Sequence, residues 1–369
     1  MGPRVVPVSG MFHWLTRQLD KIGSPTLDWV QVEVTTHCNA SCIYCPHTIM
    51  KNHWPNRHMS MELFSELMPF LKYTDLVFLQ GWGEPLLNRD FFDMARACKD
   101  RRKQVGFTTN GTLLTEETIE RLIDLPLDIM GVSLAGTTAK THNRFRNGAD
   151  LNKVISSLLL LDRMKAEKKS DKPEVHLAYL MLRSNFRELD DILPLAKSVG
   201  AKQVIASNLT FIVDPELFGE AIFNDTDGGD YYRMALERTK DQAPDEDIIF
   251  EYHGPYLDHS SLSCRENVRH ACVVNVEGDV VPCVLTNPVL CGNKARSYGE
   301  PTYYAFEHQL PPIRGMSFGN IGHENLTRIW NKEDYVHFRK LFVPHTSSKR
   351  DTLHELPPCC LQCYKRLGA

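Results

Sequence analysis

The chain lacks any apolar run that could cross a bilayer. Its longest apolar stretch, residues 155–161, falls far short of the roughly 20 residues a spanning helix needs. The N-terminal stretch MGPRVVPVSGMFHWLTRQLDKIG has no continuous apolar core or cleavage site of a signal peptide; residues 1–28 read instead as a short amphipathic capping segment. Charge of one sign is also missing. A net charge of −4 over 369 residues gives no footprint for nucleic acid or an anionic membrane, so neither is expected as a partner. With 42% hydrophobic and 24% charged residues, the composition is that of an ordinary globular protein. Cysteine, by contrast, is plentiful. Eleven cysteines without a secretion signal point to metal ligation in a reducing cytoplasm and away from disulfides.

Three of them stand together. Cys38, Cys42 and Cys45 form a C-x₃-C-x₂-C triplet in VEVTTHCNASCIYCPHT, directly after an alternating apolar run, and no fourth cysteine follows nearby. Three thiolates so spaced can hold three corners of a [4Fe–4S] cube and leave one iron open to a ligand, whereas four thiolates seal it. The competing reading is a zinc site, which would need four donors and would have to recruit His37 or His47.

Punctuation along the chain sets the expected architecture. Six segments rich in Val, Ile, Leu and Phe, at 30–35, 76–79, 104–108, 129–134, 175–180 and 203–207, read as strands buried on both faces. Helix starts lie between them, such as Ser60 before MELFSELMPFL and Thr115 before EETIERLIDL. Alternating units predict a parallel sheet with right-handed crossovers, here an α/β fold forming a partial (β/α)₆ barrel with a small C-terminal α+β domain. Sites on such barrels gather at the C-terminal strand ends, where the triplet falls. The expected boundaries are 29–250 for the core and 251–369 for the C-terminal part.

The later strand ends carry further motifs. Gly81-Trp82-Gly83-Glu84-Pro85 follows the second strand, Thr109-Asn110-Gly111 the third, and Ser133 lies in VSLAG at the end of the fourth. Arg144 and Arg146 stand in THNRFRNG. Each has a plain structural reading: a glycine turn, a left-handed turn before a helix, solvated helix arginines. In this order, however, they resemble the radical S-adenosylmethionine (SAM) superfamily. The resemblance implies SAM chelated at the open iron of a [4Fe–4S] cluster, and its cleavage to a 5′-deoxyadenosyl radical. It also implies cofactor-binding roles for Gly81, Gly83 and Glu84 toward the SAM amino group, for Asn110 in the T-N-G turn, and for Ser133 toward the ribose. The backbone of Tyr44 would meet adenine, and Arg146 would pair with the SAM carboxylate, with Arg144 as the competing candidate. Ala135 departs from an Asp common in relatives. A flavodoxin- or ferredoxin-type electron donor is the expected protein partner.

Seven cysteines crowd the last third: Cys264, Cys272, Cys283, Cys291, Cys359, Cys360 and Cys363. CRENVRHACVVNVEGDVVPC ends in a hairpin turning at Glu277-Gly278, and LPPCCLQCY closes the chain. These stretches resemble the SPASM or Twitch extension, which implies one auxiliary [4Fe–4S] cluster held by Cys264, Cys283, Cys360 and Cys363. Cys359 could replace Cys360, and a zinc ribbon on the same thiols is the competing reading. Cys272, mid-strand, reads as a small buried hydrophobe. Cys291 lies in the long insert between Asn287 and Ser317, where loop cysteines of some relatives donate a hydrogen atom.

The functional expectation is hydrogen abstraction from a substrate C–H, oxidising, epimerising or cross-linking a peptide or protein residue. The residues before the first strand leave no room for a leader-peptide-binding domain, which weakens that choice. Dehydrogenation or epimerisation of a sugar, nucleoside or other small biosynthetic intermediate is the alternative, and a non-catalytic iron–sulfur scaffold the third. His142, Asn208 and Tyr252 are candidates to face the substrate, or else ordinary surface residues.

Overall fold

The computed structural model describes residues 27–52, 54–212, 214–225, 227–287, 304–305, 308–309, 315–342 and 350–369. The amphipathic segment expected at the N-terminus and Cys291 lie outside them. Strands β1 Trp29–Val32, β2 Leu76–Leu79, β3 Gln104–Thr109, β4 Ile129–Leu134, β5 Glu174–Met181 and β6 Gln203–Asn208 are the six expected. They pair in chain order and in parallel.

The sheet continues beyond them on both sides. β7 Ile249–Tyr252 adds in parallel to β6. At the other edge β8 Ala271–Val274 lies parallel to β1, and β9 Val280–Val281 runs antiparallel to β8. Nine strands therefore form one open sheet in the order β9-β8-β1-β2-β3-β4-β5-β6-β7. β7 spans the boundary expected at 250/251, and the C-terminal hairpin pairs onto the edge of the same sheet.

Burial on both faces is corrected for β1, β2, β5 and β6, which alternate, whereas β3 and β4 each keep three consecutive buried residues. Along β5, Val175, Leu177, Tyr179 and Met181 are buried while the residues between them are half-buried. The buried face meets the helices, as where Phe107 of β3 packs edge-on against Phe91 with ring centroids 5.1 Å apart. The other face carries Gln31, Phe78, Gln80, Thr108 and Ser133, and is partly polar. Gln31 Nε2 donates to Gln80 O at 3.0 Å and Thr108 Oγ1 to Gln80 Oε1 at 2.8 Å. An unclosed barrel leaves this face half-buried, so alternation replaces a continuous apolar run.

The crossovers are helical: α1 Phe91–Lys99, α2 Glu116–Asp124, α3 Ala139–Phe145, α4 Leu151–Lys168, α5 Ile192–Ser198 and α6 Gly229–Gln242. Caps fix their starts. Thr115 accepts from the Thr118 amide, Thr138 from Thr141 and Asp150 from Lys153, each satisfying an amide that the first turn leaves free. Ser60 caps the short helix Met61–Ser65 in the same way. Beyond β9 come α7 Leu326–Trp330, α8 Glu333–Lys340 and α9 Pro358–Leu361. Stacked Phe318 and Tyr335, 4.0 Å apart, and Trp330 pack this part together. Among the described residues no helix is long and apolar enough to cross a membrane.

Candidate active site

The loop after β1 carries the triplet and is pinned from two sides. Ser41 and Cys42 form an antiparallel bridge with Asn147 and Arg146, and the Ile43 amide donates to Phe145 O at 3.0 Å. Gly148, at φ +90°, lets the backbone pass there; a Cβ would sit 3.2 Å from Asn39 O. From the other side the Glu84 amide donates to His37 O at 2.7 Å. Gly83 has to be glycine: a Cβ would fall 2.4 Å from Thr35 O. The G-W-G-E-P turn thus lies directly against the chain leading into Cys38.

The thiols need a positive charge beside them to ionise. Burial, then repulsion from Cys42, pushes the Cys45 thiol up to about 12, and burial raises Cys38 too. Thiolates are the metal-binding form, so here they need an external positive charge. Arg146 supplies part of it, its charge favouring the ionised forms of both Cys38 and Cys45. Among the described residues no three His, Cys, Asp or Glu side chains converge as donors to one ion. A cube asks for another arrangement, in which each thiolate binds its own iron.

Arg146 is buried, and its Nη1 donates to the Tyr44 hydroxyl at 2.6 Å. Its Nε is buried without a partner, a donor in want of an acceptor such as a carboxylate. Arg144 turns outward, over the Phe145 ring. Tyr44 meets the site through its hydroxyl. Glu84 is buried and raised by desolvation, against which Asn110 N and Thr109 Oγ1 each donate to it at 2.7 Å. The two turns are so tied together by one carboxylate. The Asn110 side chain reaches the triplet loop, donating to Asn39 Oδ1 at 2.9 Å and lying 3.9 Å from Cys38 Sγ. Ser133 is half-buried on the polar face of β4. His142 is fully buried, its Nδ1 3.4 Å from the Ala135 amide, and burial lowers it to about 4. Asn208, at the end of β6, donates to Gly254 O and leaves its Oδ1 buried without a partner. Tyr252 is turned elsewhere, packing beside Phe250 with Lys240 over its ring.

The second cysteine set comes together. Cys264, Cys283, Cys359, Cys360 and Cys363 line one narrow, almost wholly apolar cavity with Glu266 and Arg366. Burial raises Cys264 and Cys363 and pushes Cys283 to about 12. Cys359 is lowered, and Cys360 raised, by the hydrogen bond between them. Arg366 holds the C-C-L-Q-C turn through the carbonyls of Cys360 and Leu361, and also bonds Ser261 O. Lys365 pairs with Glu266 beside it. Cys272 is buried in β8, away from this lining.

Sequence reasoning passed over Glu33, Gly148 and the Trp82 indole. A charged residue inside the apolar run VQVEV was the available signal for the first.

The profile of the radical SAM superfamily matches residues 32–207, and that of the SPASM iron–sulfur cluster-binding domain matches 264–364. The chain is 25% identical over 360 residues to the tungsten-containing aldehyde ferredoxin oxidoreductase cofactor-modifying protein of Pyrococcus furiosus, covering 92% of this chain and 88% of that one. It is 27% identical over 285 residues to the AdoMet-dependent heme synthase of Methanosarcina barkeri, covering 71% and 77%. Among solved structures, Streptococcus suis SuiB bound to precursor peptide SuiA aligns with a TM-score of 0.63 at 13% identity, over 100% of this chain and 79% of that one. The chain carries a radical SAM domain and, after it, a SPASM domain. The first of these domains binds SAM and a [4Fe–4S] cluster, and the second binds auxiliary iron–sulfur clusters.

Proposed function

We propose that the protein abstracts hydrogen from a C–H bond of a small biosynthetic intermediate of cofactor type, in an overall oxidoreductase reaction. When bound, the first cluster supplies the electron that cleaves SAM to a 5′-deoxyadenosyl radical. The chain's own residues hold the parts. Cys38, Cys42 and Cys45 hold the cluster. Glu84 and the glycines beside it receive the SAM amino group, Arg146 Nε–H its carboxylate, and Ser133 the ribose. Cys264, Cys283 and Cys363, with Cys360 or Cys359, hold the auxiliary cluster, whose burial suits electron transfer. Asn208, with its free Oδ1 at a strand end, is a substrate contact.

The observation carrying the SAM reading is the buried, unpartnered Nε of Arg146 beside three cysteine thiols, one buried and two half-buried. The substrate class rests on similarity running nearly the whole length of a cofactor-modifying relative. A peptide residue, the first expectation from the sequence, is the second reading. SuiB is named with its precursor peptide, though at 13% identity that likeness carries the fold. Anaerobic reconstitution with SAM and dithionite tests the proposal. 5′-Deoxyadenosine should form, and porphyrin- or pterin-type intermediates should raise its yield more than short peptides. The reverse ranking moves the assignment to a peptide.

A further inference from the structure

Glu33 follows directly on β1 and lies outside the site just described. It is 0% exposed, and burial raises its carboxyl above the usual range. Its two oxygens face different parts of the protein. Oε1 accepts from the Trp82 amide at 3.0 Å, inside the G-W-G-E-P turn. Oε2 accepts from Asn287 Nδ2 at 2.8 Å and from the Val276 amide at 3.4 Å, both in the C-terminal domain. Every partner is a donor. A side chain bridging them must offer two acceptors, which a carboxylate does and an amide does not. Contact with the turn is close: a Cβ on Gly81 would fall 2.2 Å from Glu33 Cγ. A second arm runs alongside, where Trp82 Nε1 donates to Val284 O at 3.2 Å, one residue beyond Cys283. Asn287 is held in turn by Asn275 Nδ2 at 2.9 Å.

We propose that Glu33, with the Trp82 indole, is a positioning residue that couples the SAM-binding turn to the auxiliary-cluster loop. The proposal rests on the SAM reading of that turn given above. If the loop from Val276 to Asn287 moves, the Glu33 carboxylate keeps its burial and loses its donors, which is costly. If the turn moves, the same carboxylate loses its other donor. The ordered forms of turn and loop therefore favour each other, and ligation at Cys283 fixes the loop end of the latch. Coupling of this kind is reciprocal: a filled auxiliary site tightens SAM binding by the factor with which SAM steadies the auxiliary loop.

The test uses full-length, anaerobically reconstituted protein with SAM as the probe. The auxiliary site is emptied by Cys264→Ala, which leaves Glu33, Trp82 and Cys283 intact. The SAM dissociation constant should rise about 5- to 20-fold on emptying, the lower part of the range for coupled sites. SAM should also slow amide hydrogen exchange at 276–287 in the loaded protein. In Glu33→Gln both effects should shrink to less than about twofold, because one oxygen becomes a donor facing a donor. Trp82→Phe keeps a ring and loses the indole N–H, so it should lose part of the coupling; it carries the test if Glu33→Gln fails to fold. SAM bound equally by loaded and emptied protein overturns the coupling and leaves the SAM site standing. Full coupling in a folded Glu33→Gln or Trp82→Phe protein also overturns it. Wild-type protein that binds no SAM overturns the site and the coupling together.

Discussion

The two cysteine sites differ in what each leaves unsatisfied. Around Cys38, Cys42 and Cys45 the protein supplies three thiols and leaves polar groups open to a ligand: the unpartnered Arg146 Nε and the half-buried Ser133. Around the other cavity it supplies five thiols, an apolar lining, and an Arg366 side chain already spent on backbone carbonyls. A site short of one ligand and rich in idle polar groups is built to receive a molecule. A site with thiols to spare and its polar groups engaged is built to hold a cluster shut.

Breaking each site in turn should show the difference most strongly. Cys38→Ala, Cys42→Ala or Cys45→Ala should each abolish 5′-deoxyadenosine formation. Cys264→Ala or Cys363→Ala should leave SAM cleavage measurable and stop product formation, so equal behaviour of the two sets in an anaerobic assay would erase the distinction. Iron analysis sharpens it. Reconstituted protein should carry about eight irons, and the variant lacking all three triplet cysteines about four, on four irons per cube. Of the vicinal pair, the cysteine whose alanine variant loses auxiliary iron is the ligand, and the other should retain it.

Arg146→Ala should weaken SAM binding roughly 10- to 150-fold, since a charge-assisted hydrogen bond contributes about 1.5–3 kcal/mol. Arg144→Ala, at the surface, should change it by less than about twofold; the opposite ranking in a binding titration would move the role to Arg144.

A smaller effect concerns pH. His142 is held neutral, its folded value lowered from 6.5 to about 4. Below 6.5 the unfolded chain takes up a proton that the folded chain refuses, so stability present at neutral pH is lost as pH falls toward 4. Between pH 7 and pH 5 the loss should be about 2 kcal/mol from this residue. Glu33 and Glu84, raised by burial, act in the opposite direction as they protonate. Urea midpoints at the two pH values for wild type and His142→Asn isolate the term; equal slopes would show that His142 titrates normally.

Much of this was legible in the sequence. The six core strands follow from apolar runs between capped helices, and β2 and β4 match residue for residue because Asp, Gly and polar turns bound them sharply. Cysteine spacing exposed the triplet and the terminal C-C-L-Q-C turn because local spacing fixes local geometry. What stayed hidden depended on distant pairing. Nothing in ACVV announces β1 as its partner, and Glu33 reads as an interruption until Asn287, far along the chain, is placed beside it. Tyr252 misled for a related reason: its strand was not foreseen, so neither was the face it occupies.

The pairing of β8 with β1 also has a consequence for how the protein is made. β1 is the first described strand to be synthesised, yet one of its edges is covered by residues from the last third of the chain. During synthesis the core strands can assemble beforehand, leaving that edge bare beside the triplet loop. A bare strand edge invites pairing with other chains. Ribosome-bound intermediates should therefore be most prone to aggregate after β6 has emerged and before β9 has.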